Sequence, residues 1–126
     1  MTSRHIVACG LATAAMMLLP GCSNETPAPA FGTGADLTRG AIALQQYGCG
    51  VCHRIPGIAG ADGIVGPPLV DMGRRVYIAR GLPNTPANMI HWIRKPQELA
   101  PRSAMPDLQV TAADARAMTA YLYRSS

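Results

Sequence analysis

Two cysteines separated by two residues and followed at once by a histidine stand at Cys49-Gly50-Val51-Cys52-His53. Thiols at this spacing can each add across one vinyl group of a haem, and the imidazole directly after the second is then placed to ligate the iron. One pentapeptide would supply both the tether and a ligand, His53, for a single covalent haem c. A C-x-x-C pair also serves as a redox dithiol or as half of a zinc site. The dithiol reading expects βαβ patterning, whereas this chain offers short amphipathic helical stretches between Gly- and Pro-rich loops and no alternating strand. Structural zinc needs a second ligand pair, yet the other cysteines, Cys9 and Cys22, fall in the N-terminal segment and no histidine pair of suitable spacing follows. Haem attachment is the expectation.

Haem iron that shuttles electrons usually has its sixth position filled, and a thioether there raises the reduction potential. Met105 is the expected donor. It lies in Arg102-Ser103-Ala104-Met105-Pro106-Asp107-Leu108, a polar loop between two predicted helices, stiffened by the following proline. Met72, Met89 and Met118 stand at helical spacing among apolar neighbours and read as core. His91 is the rival, for a bis-histidine site, but its helix points it away from the Trp92 face, so an exposed position is expected.

These residues need elements to hold them. Asp36-Leu37-Thr38-Arg39 can cap a helix running to about Tyr47, with Leu37, Ala41 and Leu44 on one face and Gly48 ending it before the haem motif. From Ile55 to Pro68 the chain is rich in Gly and Pro without periodicity, a loop whose length wrapping a cofactor would justify. Leu69 to Arg80 predicts a short helix with Leu69, Met72, Val76 and Ile78 as its apolar residues. Thr85-Pro86 starts the next, with the threonine as N-cap and proline in the first turn, running to about Arg94 before Pro96 stops it. Met89, Ile90, Trp92 and Ile93 form its apolar set. Thr111 to Asp114 opens a last helix through Ala115, Met118, Tyr121 and Leu122, expected to pack on the first. The reading is all-α, about four short helices around one haem.

The chain has 126 residues, enough for one small domain once its leader is removed. With one Phe and one Trp it is thin in large apolar side chains. A buried macrocycle would supply the missing surface, which couples folding to haem insertion. The formal net charge of +4 is mildly basic; Arg74, Arg75 and Arg80 are its densest cluster, a solvated surface or a docking face. No basic run interleaved with aromatics points to nucleic acid.

The N-terminus reads as an export signal, with Arg4 before the apolar run Ile6 to Leu19. Leu19-Pro20-Gly21-Cys22 resembles the lipobox of bacterial lipoproteins, which would make Cys22 the lipidated first residue of the mature chain. An ordinary signal cut nearby and an uncleaved anchor are the alternatives. The apolar run is short for a membrane span, which favours processing. Residues 1–21 are then a signal peptide, 22–35 a flexible tether and 36–126 the domain. Ser23 to Ala35 is small, polar and Pro/Gly-rich, and could extend to roughly 43 Å at about 3.3 Å per residue. The domain is expected in the periplasm or on the outer face of a bacterial membrane.

With the haem motif, the Gly66-Pro67 pair and Met105-Pro106 in this order, the chain resembles the class I cytochromes c from about Gly40 to Leu122. The resemblance implies a small cytochrome c fold, thioethers at Cys49 and Cys52, His53 as proximal and Met105 as distal ligand. It also implies a hydrogen bond from His53 Nδ1 to the Pro67 carbonyl, Arg75 near a haem propionate, and Leu69 and Trp92 lining the pocket. The stretches Gly66-Pro67-Pro68-Leu69, Gly81 to Asn88 and Trp92 to Gln97 look like the cytochrome domain fused to subunit II of some haem-copper oxidases. Here a free or lipid-tethered form is implied instead.

Three functions compete on these grounds. The first is a non-enzymatic monohaem carrier, taking electrons from a quinol- or substrate-oxidising complex and passing them to a terminal oxidase. The second is a cytochrome subunit held permanently in a dehydrogenase or oxidase complex. The third is a haem-based ligand sensor or peroxidase, in which Met105 is weakly bound and displaced.

Overall fold

A computed structural model describes residues 32–125 of the chain. The expected signal peptide, Cys9, Cys22 and most of the expected tether lie outside the described residues. The helices are α1 (Gly34–Gln46), α2 (Cys49–Cys52), α3 (Pro86–Arg94), α4 (Pro96–Leu99) and α5 (Ala112–Arg124), with a two-stranded antiparallel pair, β1 (Tyr77–Ile78) and β2 (Leu82–Pro83), between α2 and α3. The small all-α fold is as expected.

Helix α1 opens earlier than Asp36. Thr33 Oγ1 accepts from the Asp36 amide at 3.3 Å, and the Asp36 carboxylate accepts from the Thr33 amide at 3.0 Å. The two residues close a capping box in which Asp36 is the third helical residue and Thr33 the cap. Bonds from the Thr33 hydroxyl and amide hold the Asp36 carboxyl below its ordinary range. Thr33, Gly34 and Ala35, expected at the end of the tether, therefore belong to the cap and first turn.

Helices α1 and α5 make the most extensive helix contact, as their apolar faces predict. Leu44 and Ala43 meet Met118, Ala115 and Leu122 in the core. The crossing is tight at Gly40, where a Cβ would lie 2.7 Å from the Ala117 carbonyl carbon and 2.9 Å from Tyr121 Cβ. Helix α5 starts at its expected cap, with Thr111 Oγ1 accepting from the Asp114 amide at 3.1 Å.

Asp114 also fastens α5 to α1. Its carboxylate takes Arg39 at 2.9 Å and the Tyr47 hydroxyl at 3.2 Å. The Thr111 hydroxyl, then Arg39, hold its carboxyl below the ordinary value of 3.8. A carboxyl depressed in the fold stabilises it above the unfolded value, and that contribution is lost as pH falls through the folded one. Asp114→Asn is thus expected to lower the thermal midpoint at pH 7. The gap from the parent protein should close as melts are taken at pH values falling through and below the ordinary carboxylate range.

The helix expected over Leu69 to Arg80 does not form. The segment makes one 3₁₀ turn, Met72–Arg74, and then pairs Tyr77 with Pro83 and Ile78 with Leu82. Side chains take the carbonyls that a helix would bond with its own amides. Asn84 Nδ2 donates to the Met72 and Arg75 carbonyls at 2.7 and 2.8 Å, and Arg75 Nη2 to those of Pro68 and Val70 at 2.7 and 3.0 Å. Asp71 adds a left-handed backbone at φ 53°. Asn84 Oδ1 accepts from the Tyr123 hydroxyl at 2.6 Å, which ties this segment to α5. Of the expected apolar residues, Met72 and Ile78 are buried, Leu69 is half-buried, and Val76 is exposed.

Helix α3 has the expected start and end, with Thr85 Oγ1 accepting from the Asn88 amide at 3.2 Å. Pro96 does more than stop it. The chain breaks at Lys95 and Pro96 begins α4, the helical position where its fixed φ suits and no amide is needed. No helix among the described residues is long and apolar enough to cross a membrane.

Candidate functional site

Gly48, left-handed at φ 68°, ends α1 and turns the chain into α2. Cys49 and Cys52, three positions apart on that single turn, fall on one side of it. Both are half-buried free thiols, and burial pushes the Cys49 thiol above its ordinary value of 9.0. His53 leaves the turn extended, its amide bonded to the Cys49 carbonyl at 3.0 Å.

The following loop folds back over α2. Gly63 and Gly66 donate their amides to the Gly50 and Cys52 carbonyls at 3.0 and 2.7 Å. This approach brings the Pro67 carbonyl 2.7 Å from His53 Nδ1. Since a carbonyl only accepts, Nδ1 is the donor of this bond, and in the neutral ring Nε2 is then the nitrogen whose lone pair can take a metal. Arg75, through Pro68 and Val70, holds the same loop from its far end.

Gly66 is required by the imidazole itself. A Cβ there would lie 2.6 Å from His53 Nδ1 and 2.9 Å from Nε2, and nearer still to Cε1. Gly66→Ala is expected to push the ring or the loop aside and to cost ~1–3 kcal/mol, the usual range for overpacking. Thermal melts measure the cost, and the imidazole resonances of His53 report the lost bond to Pro67.

Above α2 lies a cavity of about 630 Å³, within the range of cofactor sites. Its inner lining is apolar, with Leu44, Met72, Met89, Ile93, Met118 and Leu122. Cys49, Cys52, His53, Pro67, Leu69, Arg75, Trp92 and Met105 all line it too. Residues expected from widely separated stretches thus meet around one space.

The rival ligand His91 is absent from this lining; it is exposed and bonded to Glu98 at 2.9 Å. Arg75 is the cation of the wall, half-buried, with one guanidinium nitrogen engaged by two carbonyls. Met72, Met89 and Met118 are buried as core residues and also face the cavity, a double role their helical spacing did not reveal. Gln97 ends one of the stretches that carry the resemblance, but the sequence gives it no role: it donates to the Met105 carbonyl from α4.

The residues fit a covalent haem. Two thiols on one helical turn, an imidazole oriented through Nδ1 by a carbonyl, a thioether and an apolar chamber are the donor set and surroundings that such a group takes. A dithiol site or a zinc site would have no use for the thioether or for an apolar space of this volume.

The family model for cytochrome c matches residues 37–126. No curated protein matches the chain. That match spans every helix described above except the first turn of α1, and the chain belongs to the cytochrome c family as a class I c-type cytochrome, a haem-binding protein of electron transfer.

Proposed function

We propose that the chain is a monohaem carrier that takes single electrons from a quinol- or substrate-oxidising complex and delivers them to a haem-copper terminal oxidase. In this reading Cys49 and Cys52 hold the haem through thioethers, His53 is the proximal ligand and Met105 the distal one. The observation that carries it is that Met105 lines the same cavity as both thiols and His53, whereas His91 lies outside it.

Bound haem supplies a reversible one-electron couple. The protein tunes and shields it. The Pro67 carbonyl orients the His53 ring and strengthens it as a donor, while the thioether of Met105 favours the reduced state. The apolar lining excludes water, and Arg75 places a positive charge at the wall. Val51, Val65 and Tyr77 are exposed at the rim of the cavity, an apolar margin suited to brief contact with a redox partner.

The decisive experiment is the visible spectrum of protein matured with the haem-attachment machinery. A low-spin spectrum with the weak far-red charge-transfer band of methionine-ligated ferric haem supports the carrier. A high-spin spectrum would sink it in favour of ligand sensing or catalysis, and a low-spin spectrum without the band would return His91 to consideration. We further propose that residues 1–21 are removed and that Cys22 is lipidated, so that the tether holds the domain at the outer face of a bacterial membrane. Cys22→Ser should move the protein from the membrane to the soluble periplasmic fraction.

A further inference from the structure

The residues joining α3 to α4 fasten the loop of Met105 at three points along its length. Gln97 Nε2 donates to the Met105 carbonyl at 2.5 Å, Lys95 Nζ to the Asp107 carboxylate at 2.8 Å, and Arg94 Nε to the Val110 carbonyl at 3.3 Å. The Met105 amide donates to Ser103 Oγ at 3.1 Å. Both polar groups of Met105 are therefore held by side chains, and no backbone-to-backbone hydrogen bond restrains it among the described residues.

The support is stiffer than the loop. Pro96 is among the most deeply buried side chains, and its carbonyl accepts from the Ala100 amide at 2.8 Å, closing α4 as a single turn. Gln97 is the second residue of that turn. A neutral thioether is a weak donor, so its hold on a metal depends on how firmly the backbone keeps the sulfur in place.

The three contacts are unequal. The Lys95–Asp107 pair is 44% and 33% exposed, and pairs of that kind contribute little and weaken with salt. The Arg94 bond is long. The Gln97 bond is short, partly buried, and made to Met105 itself.

We propose that Gln97, supported by Lys95, is the positioning residue for the Met105 thioether, and that it sets how readily the distal position opens to an external ligand. This rests on Met105 being the distal ligand. Removing the donor leaves the Met105 carbonyl without its partner, a loss that favours the open loop by about tenfold.

The test uses the matured holoprotein and added imidazole, titrated against the oxidised form, with hydrogen exchange over residues 103–110 as a second readout. Gln97→Glu keeps the shape and removes the donor; Gln97→Ala serves if the glutamate variant fails to mature. Either is expected to bind imidazole about tenfold more tightly and to exchange faster in the loop. Lys95→Ala should give a gain of about twofold that disappears in high salt, and Lys95→Arg should match the parent protein. Met105→Ala is titrated alongside. If it binds imidazole far more tightly while both Gln97 variants match the parent, the positioning role is wrong and the ligand assignment stands. If Met105→Ala itself matches the parent, the ligand assignment fails and the positioning role falls with it.

Discussion

Replacing Cys49 and Cys52 together by serine is expected to remove covalently bound haem entirely. Denaturing electrophoresis followed by haem staining should show a coloured band for the parent protein and none for the double variant. Each single serine variant should retain at most one thioether and mature poorly. The two thiols sit three positions apart on one short helical turn, and among the described residues both are free. Haem still recovered covalently from the double variant would remove the basis for assigning the attachment to this motif. Because Leu44, Met72, Met89, Ile93, Met118 and Leu122 of the core cluster also line the cavity, the double variant should also lose cooperative thermal unfolding.

The second large effect is expected at Met105. Met105→Ala should keep the covalent haem, erase the far-red band and admit imidazole or carbon monoxide readily. Its reduction potential should fall by a sizeable part of the roughly 0.8 V span that axial ligands command. Redox titration and ligand binding measure these changes together. Met72, Met89 and Met118 also line the cavity, so the comparison has built-in controls. Replacing Met118 by leucine, a nearly volume-conserving change, should leave the band in place at a cost below about 1.5 kcal/mol. A band that survived in Met105→Ala and vanished on replacing one of the other three would move the ligand to that residue.

The parts of this architecture that could be read in advance are those whose cause is local. Thr85-Pro86 and Thr111 announce α3 and α5 because a cap bonds amides two or three residues away, inside the reach of a short pattern. The haem motif is legible for the same reason: thiols and imidazole are neighbours in the chain. No helix forms over residues 69–80 because side chains take its carbonyls: Asn84, from beyond the segment, supplies two of the bonds, and Arg75, within it, turns its guanidinium back on Pro68 and Val70. The start of α1 was misplaced for a subtler reason. Asp36 is a good cap by type, but Thr33 three residues earlier makes it the other half of a box. The loop around Met105 marks it as a residue apart from the core, and the structure sets it at the cavity, whereas nothing near Gln97 signals a hydrogen bond to a residue eight positions away.

The crossing of the loop over α2 is specified by what residues on both sides of it lack. At Gly50 a Cβ would meet Ala61 at 2.7 Å, at Gly63 the Cys52 carbonyl carbon at 2.5 Å, and at Gly66 the imidazole of His53. A saturation mutagenesis library scored for holoprotein should therefore show two kinds of intolerance in this protein. Core positions such as Leu44 should grade their substitutions by size and polarity. The three glycines should reject alanine nearly as firmly as arginine, marking a surface on which the polypeptide backbone is itself the recognition element.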